Sequence, residues 1–172
     1  MDPRLATLQR EVASSFRGLS VSQLLRGLPG KWCTAEILEH LLLTYTGTIK
    51  GFSRVVAENR SLATKATWRQ RVRSLVVVEL GYMPTGRKSP AVGLPRGIPA
   101  EKVTRDILAA IGEMDDVMSR CSGKFRPRVK VLDHPILGPL SIDQWRKFHL
   151  VHGLHHVKQI RHLRGKLESG EI

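Results

Sequence analysis

Four of the seven histidines fall within eight residues, in His149-Leu150-Val151-His152-Gly153-Leu154-His155-His156. Imidazole titrates near neutral pH and also ligates first-row metals through a neutral nitrogen, so spacing decides which work such a cluster can do. On a helix, His149 and His156 stand about 10.5 Å apart along the axis, too far for one coordination sphere. His152 and His156 are four residues apart and adjacent in space, the i, i+4 geometry of helical zinc sites. At about 100° per residue, Trp145, His152, His156, Gln159 and Leu163 share a sector of about 60°, with Phe148, His149 and Ile160 beside it. The opposite side carries Leu150, Leu154 and Val157. The helix is therefore apolar on more than one side, and a hydrogen-bonded core role competes with ligation for the histidine pair.

Two ligands make a poor site, because a catalytic metal usually has three protein ligands and an open position. A third must come from elsewhere. His40 stands at the edge of an apolar helical stripe beside Thr44, and His134 precedes Pro135 in a loop. The competing reading of His40 is a partly exposed surface histidine. Glu36, one turn before His40, is the nearest carboxylate for a base or ligand-orienting role, against the alternative of a first-turn Glu held by the helix dipole. Gln159 is placed to hydrogen-bond a ligand or to fill a packing gap. Cys33 and Cys121 lack C-x-x-C spacing, which excludes a disulfide framework and a zinc knuckle, and both read as buried thiols.

The elements that must position these residues are helical. Leu5, Leu8, Val12 and Phe16 predict a helix from about residue 3 to 17, and a short piece follows from 23 to 28, ended by Pro29-Gly30. Thr34 reads as an N-cap before the stripe Ile37, Leu38, Leu41, Tyr45, Ile49, Phe52 and Val55. Trp68, Val72, Leu75, Val76 and Leu80 predict another helix, and Val103 to Val117 a further one ending near Gly123. Between them, prolines and glycines from Gly81 to Pro99 require an irregular loop. A second irregular stretch holds His134-Pro135 and Gly138-Pro139, and Ser141 caps the last helix, which runs to about Leu167. A strand is suggested only from 128 to 132. The expectation is an all-α, single-domain chain over residues 1–172, with four main helices and a helical N-terminal extension over 1–28.

The chain has 172 residues, 28 Lys and Arg against 15 Asp and Glu, and a formal charge of +13. Residues 124–166 carry a net +8 and residues 65–105 a net +7. Nucleic acid, anionic lipid or an acidic small molecule are the usual reasons for such a balance. No nucleic-acid recognition signature accompanies it, and 5% aromatic residues leave few rings for stacking bases. Solvated helix faces are the plainer account. The longest apolar run, Leu75 to Val78, is far too short to span a bilayer. No leader is visible at the start, so a cytoplasmic location is expected.

Trp32-x-x-x-Glu36-x-x-x-His40-Leu41, followed by His152-x-x-x-His156-x-x-Gln159-Ile160, resembles the DinB-like (YfiT-like) family. The run from His134 to Ser141, then Trp145 and the histidine helix, together with Gly81-Tyr82-Met83-Pro84-x-Gly86, is similar to an uncharacterised branch of it. The likeness covers about residues 19 to 163. It implies a four-helix bundle in which three histidines from two helices, here His40, His152 and His156, hold a divalent metal, often nickel or zinc. Members include thiol-dependent S-transferases and isomerases that use bacillithiol or mycothiol, and others that look like metal-dependent hydrolases. The implied cofactors are thus a divalent metal and a low-molecular-weight thiol. His149 and His155 beside the pair depart from the family pattern.

With three neutral imidazoles, a metal's open position would face a pocket roofed by the Gly81–Pro99 loop, whose Arg87, Lys88 and Arg96 would attract an anionic substrate or thiol. Expected partners are a small anionic molecule, a second copy of the chain and weakly, sequence-independently bound nucleic acid, with no membrane. The competing function is a basic binding module for nucleic acid or another polyanion, without catalysis. Substrate and reaction are beyond the sequence.

Overall fold

The computed structural model describes residues 1–84 and 89–172. Six α-helices lie among them: α1 (Pro3–Phe16), α2 (Val21–Leu24), α3 (Thr34–Glu58), α4 (Trp68–Ser74), α5 (Ala100–Ser122) and α6 (Ile142–Glu168). A hairpin of β1 (Lys130–His134) and β2 (Gly138–Ser141) precedes α6. The protein is mainly helical, and the hairpin is the departure from an all-α chain. None of the described helices is long and apolar enough to cross a membrane.

Local signals start the helices. Asp2 accepts the Arg4 N–H at 2.9 Å, and Pro3 occupies the first position, where no N–H is needed. Ser141 and Gln144 cap each other's backbone N–H at the start of α6, as its sequence predicts. At α3 the cap is Cys33, one residue earlier than expected, with Thr34 already helical. The helix stops at Asn59, whose left-handed backbone (φ 48) diverts the chain. The short piece expected over 23–28 is α2, capped by Ser20, which starts two residues earlier, at Val21, and ends four residues earlier, at Leu24.

α3 packs along α5, and α1 along α6 and α5. Leu5, Leu8 and Val12 of α1 are fully buried, so the N-terminal helix is part of the core rather than an extension from it. α1 and α6 approach closely because position 153 has no side chain. A Cβ there would come within 2.1 Å of Leu8 Cδ1.

The helix expected over Trp68 to Leu80 changes winding halfway. Leu75–Glu79 forms a π-turn, with the Leu80 N–H donating to the Leu75 carbonyl at 3.0 Å. The wider turn coincides with Val76-Val77-Val78, whose β-branched side chains fit α winding poorly. The stretch around His134-Pro135 and Gly138-Pro139 is the hairpin, with Leu132 opposite Leu140 and His134 opposite Gly138. Both strands are edges, so Pro139 costs no ladder bond that a central strand would need. The His134 Nδ1 accepts the N–H of Ile136 and of Leu137, each at 3.1 Å, and thereby holds the turn. Trp145 Nε1 donates to the Leu132 carbonyl at 3.1 Å and fixes α6 against the hairpin.

Candidate metal centre

His40 on α3 and His152 and His156 on α6 meet in the interior, with one nitrogen of each within 4.8 Å of the others. The Nε2 atoms of His40 and His152 are 3.1 Å apart, and those of His156 and His152 are 3.2 Å apart. Two nitrogens about 2.05 Å from one ion and about 3.15 Å from each other subtend about 100°, a tetrahedral-like angle. The spacing therefore fits a shared metal as well as a chain of hydrogen bonds.

Outer partners set the tautomers. The His40 Nδ1 lies 2.6 Å from the Gly93 carbonyl, which can only accept, so Nδ1 carries the proton and Nε2 presents its lone pair inward. The His156 Nδ1 likewise faces Gln159 Oε1 at 2.8 Å, and the Gln159 amide nitrogen reaches His155 Nε2 at 3.2 Å. Among the described residues His152 has no such partner, and its Nδ1 is closed off from solvent. One proton on His152 Nε2 would have two lone pairs to serve, whereas a cation there would satisfy all three. Such orienting hydrogen bonds are the usual companions of metal-bound imidazoles.

The surroundings keep the rings neutral. Burial pushes the His156 pKa down to about 3, with His40 beside it adding to the effect and Gln159 opposing it. Burial and then the neighbouring His156 and His40 hold His152 well below the usual histidine range. Burial also lowers His40, against the Gly93 hydrogen bond. Phe148 stacks on His152 with centroids 5.2 Å apart, and Trp32 lies 5.3 Å from His40. Neutral, converging imidazoles walled by aromatic rings suit a divalent ion.

The other expected residues are placed differently. Glu36 accepts the Cys33 N–H at 2.8 Å and so caps α3. The Arg96 side chain is exposed, and its backbone N–H does the binding. Arg87 and Lys88 lie outside the described residues. His134, the alternative third ligand, gives its Nδ1 to the hairpin turn, and the histidines that cluster are His40, His152 and His156. His149 is fully buried among Tyr45, Trp145 and Phe148, and among the described residues neither of its ring nitrogens has a partner. Burial raises the pKa of both Cys33 and Cys121, as plain buried thiols should show.

Spacing does not single out Glu39. It is buried, and its carboxylate accepts the backbone N–H of Arg96 at 2.6 Å and those of Gly97 and Ile98 at 3.2 Å each. These bonds anchor the loop whose Gly93 orients His40. The available signal was an acidic residue inside the otherwise apolar run Ile37-Leu38-Glu39-His40-Leu41-Leu42. Gly93 itself sits so close that a Cβ would lie 3.1 Å from His40 Cε1 and Nδ1. Among the described residues, the loop thus reaches the histidines through the Gly93 carbonyl. Two surface clefts, of about 470 and 650 Å³, lie elsewhere and are not lined by the three histidines.

No curated protein and no solved structure matches the chain. A family model described as "Protein of unknown function (DUF1569)" matches residues 6–163, nearly the whole length. The chain belongs to that family of proteins of unknown function.

Proposed function

We propose that His40, His152 and His156 hold a divalent metal ion, nickel or zinc, on a four-helix scaffold of the DinB-like type, and that the protein is a metal-dependent transferase or hydrolase. The observation that supports this reading is the meeting of three neutral imidazole nitrogens, two of them aimed inward by Gly93 and Gln159. A metal bound there would supply Lewis acidity and lower the pKa of a water or a low-molecular-weight thiol at its open position. The chain's own residues orient the ligands, keep them unprotonated and exclude bulk water from the aromatic-walled interior. The exposed cations of the basic surface would draw in an anionic substrate.

The second reading, a basic module for nucleic acid or another polyanion, is supported by the net charge of +13. In that reading the histidines bind nothing, so one measurement separates the two. Elemental analysis of protein purified without a histidine tag should find about one nickel, zinc or similar ion per chain. Absence of stoichiometric metal after dialysis against these ions at neutral pH would reject the metal-centre reading.

A further inference from the structure

α4 is turned inside out relative to an ordinary surface helix. Trp68, Val72 and Leu75 lie within about 60° of one another on its wheel, yet they are 70%, 51% and 53% exposed. The opposite side, carrying Gln70, faces the hairpin, so closely that a Cβ on Gly138 would lie 2.7 Å from Gln70 Cδ. Gln70 and Ser74 are half-buried on that side, while the apolar residues are open to solvent. Leu80 and Tyr82, just beyond the π-turn, are 70% and 61% exposed as well. Lys65, Arg69, Arg71 and Arg73 flank it, all exposed. Among the described residues none of these four is ion-paired with a carboxylate. The Arg69 guanidinium lies 5.5 Å from the centre of the Trp68 ring.

We propose that the Trp68–Tyr82 face docks on an anionic phospholipid surface, lying in the headgroup plane without crossing it. Apolar side chains bracketed by Lys and Arg are the pattern of interfacial helices, and Trp and Tyr favour the headgroup level. Charge argues against the other occupants. A second copy would bring the same cations and the same +13 to the contact. A nucleic-acid duplex would pair with the cations but leave Val72 and Leu75 with nothing apolar to cover them. This inference stands apart from the metal centre, and it revises the expectation of no membrane partner, which rested on the lack of a spanning segment.

The test is flotation of the full chain with phosphatidylcholine vesicles, with and without about 30 mol% phosphatidylglycerol. The anionic vesicles should carry the protein and the neutral ones should not. The double variant Trp68→Ser, Leu75→Ser should bind the anionic vesicles at least about tenfold more weakly, with its helix content and metal content unchanged. Three outcomes overturn the proposal. One is no flotation with anionic vesicles, and another is equal flotation of the double variant. The third is a fall in sedimentation mass from dimer to monomer on making the variant, which would assign the face to a second copy.

Discussion

The imidazole of His40 hydrogen-bonds through Nδ1 to the carbonyl of Gly93 at 2.6 Å, so a loop 53 residues further along the chain sets which nitrogen α3 presents to α6. Substituting either residue should therefore affect the same property. His40→Ala should abolish stoichiometric metal uptake. Gly93→Val keeps the carbonyl but pushes carbon atoms into the ring, and should weaken metal affinity by about tenfold or more. Titration of apo protein with zinc, followed by calorimetry, reads both. Unchanged uptake by His40→Ala would show that the three histidines are not a ligand set.

Glu39 supports the same arrangement from behind. Glu39→Ala leaves the N–H groups of Arg96, Gly97 and Ile98 without their acceptor and should cost about 2 kcal/mol of stability. The amide hydrogens of those three residues should exchange faster in the variant than in the parent, by more than any change among the amides of α5. A variant as stable as the parent, with unchanged exchange, would mean that these bonds do not hold the loop.

His149 should be dispensable. Its ring sits buried in an aromatic box with both nitrogens unpartnered among the described residues, so a phenyl ring of similar size removes a desolvation cost and loses no bond. His149→Phe should raise stability by about 1 kcal/mol in urea unfolding and leave metal uptake intact. Loss of metal would instead place His149 among the ligands.

His134 should make stability pH-dependent. Burial lowers its pKa from the ordinary 6.5 to about 4 in the folded chain. The unfolded chain therefore takes up a proton below about pH 6.5 that the folded chain refuses until about pH 4. This contribution is fully present above pH 6.5 and is lost as the pH falls to 4, by at most about 3 kcal/mol. His134→Asn keeps an acceptor for the turn and cannot titrate. The drop in stability between pH 6.5 and 4 should be smaller in this variant than in the parent, and equal slopes would contradict the assignment.

Much of this was readable in the chain because helices announce themselves locally. The i, i+4 pair of His152 and His156 and the Ser141 cap follow from spacing alone, and the stripe from Ile37 to Val55 places His40 on a core helix. That these helices meet at His40 came from the likeness of motifs, since periodicity left His134 open as well. Position 134 differs because its two N–H contacts are made within a four-residue turn, which hydrophobic spacing does not encode. The role of Glu39 is hidden from spacing for a related reason. Its partners are backbone amides of residues 96 to 98, and backbone donors leave no mark in side-chain identity. The outward-facing α4 shows the limit of amphipathic reasoning, which finds the apolar stripe but assumes that the protein itself will cover it.

The contact between His40 and His152 joins positions 112 residues apart. An ion gripped at that point would act as a clasp on the chain, closing a loop that contains all of α4, α5 and the hairpin. A clasp of that reach restricts the unfolded ensemble more than a local one does, so it would make the separate layers come apart together. It also means that α6 by itself, with two of the three imidazoles, carries only an unfinished fastening. The fastening closes once the first third of the molecule is in place.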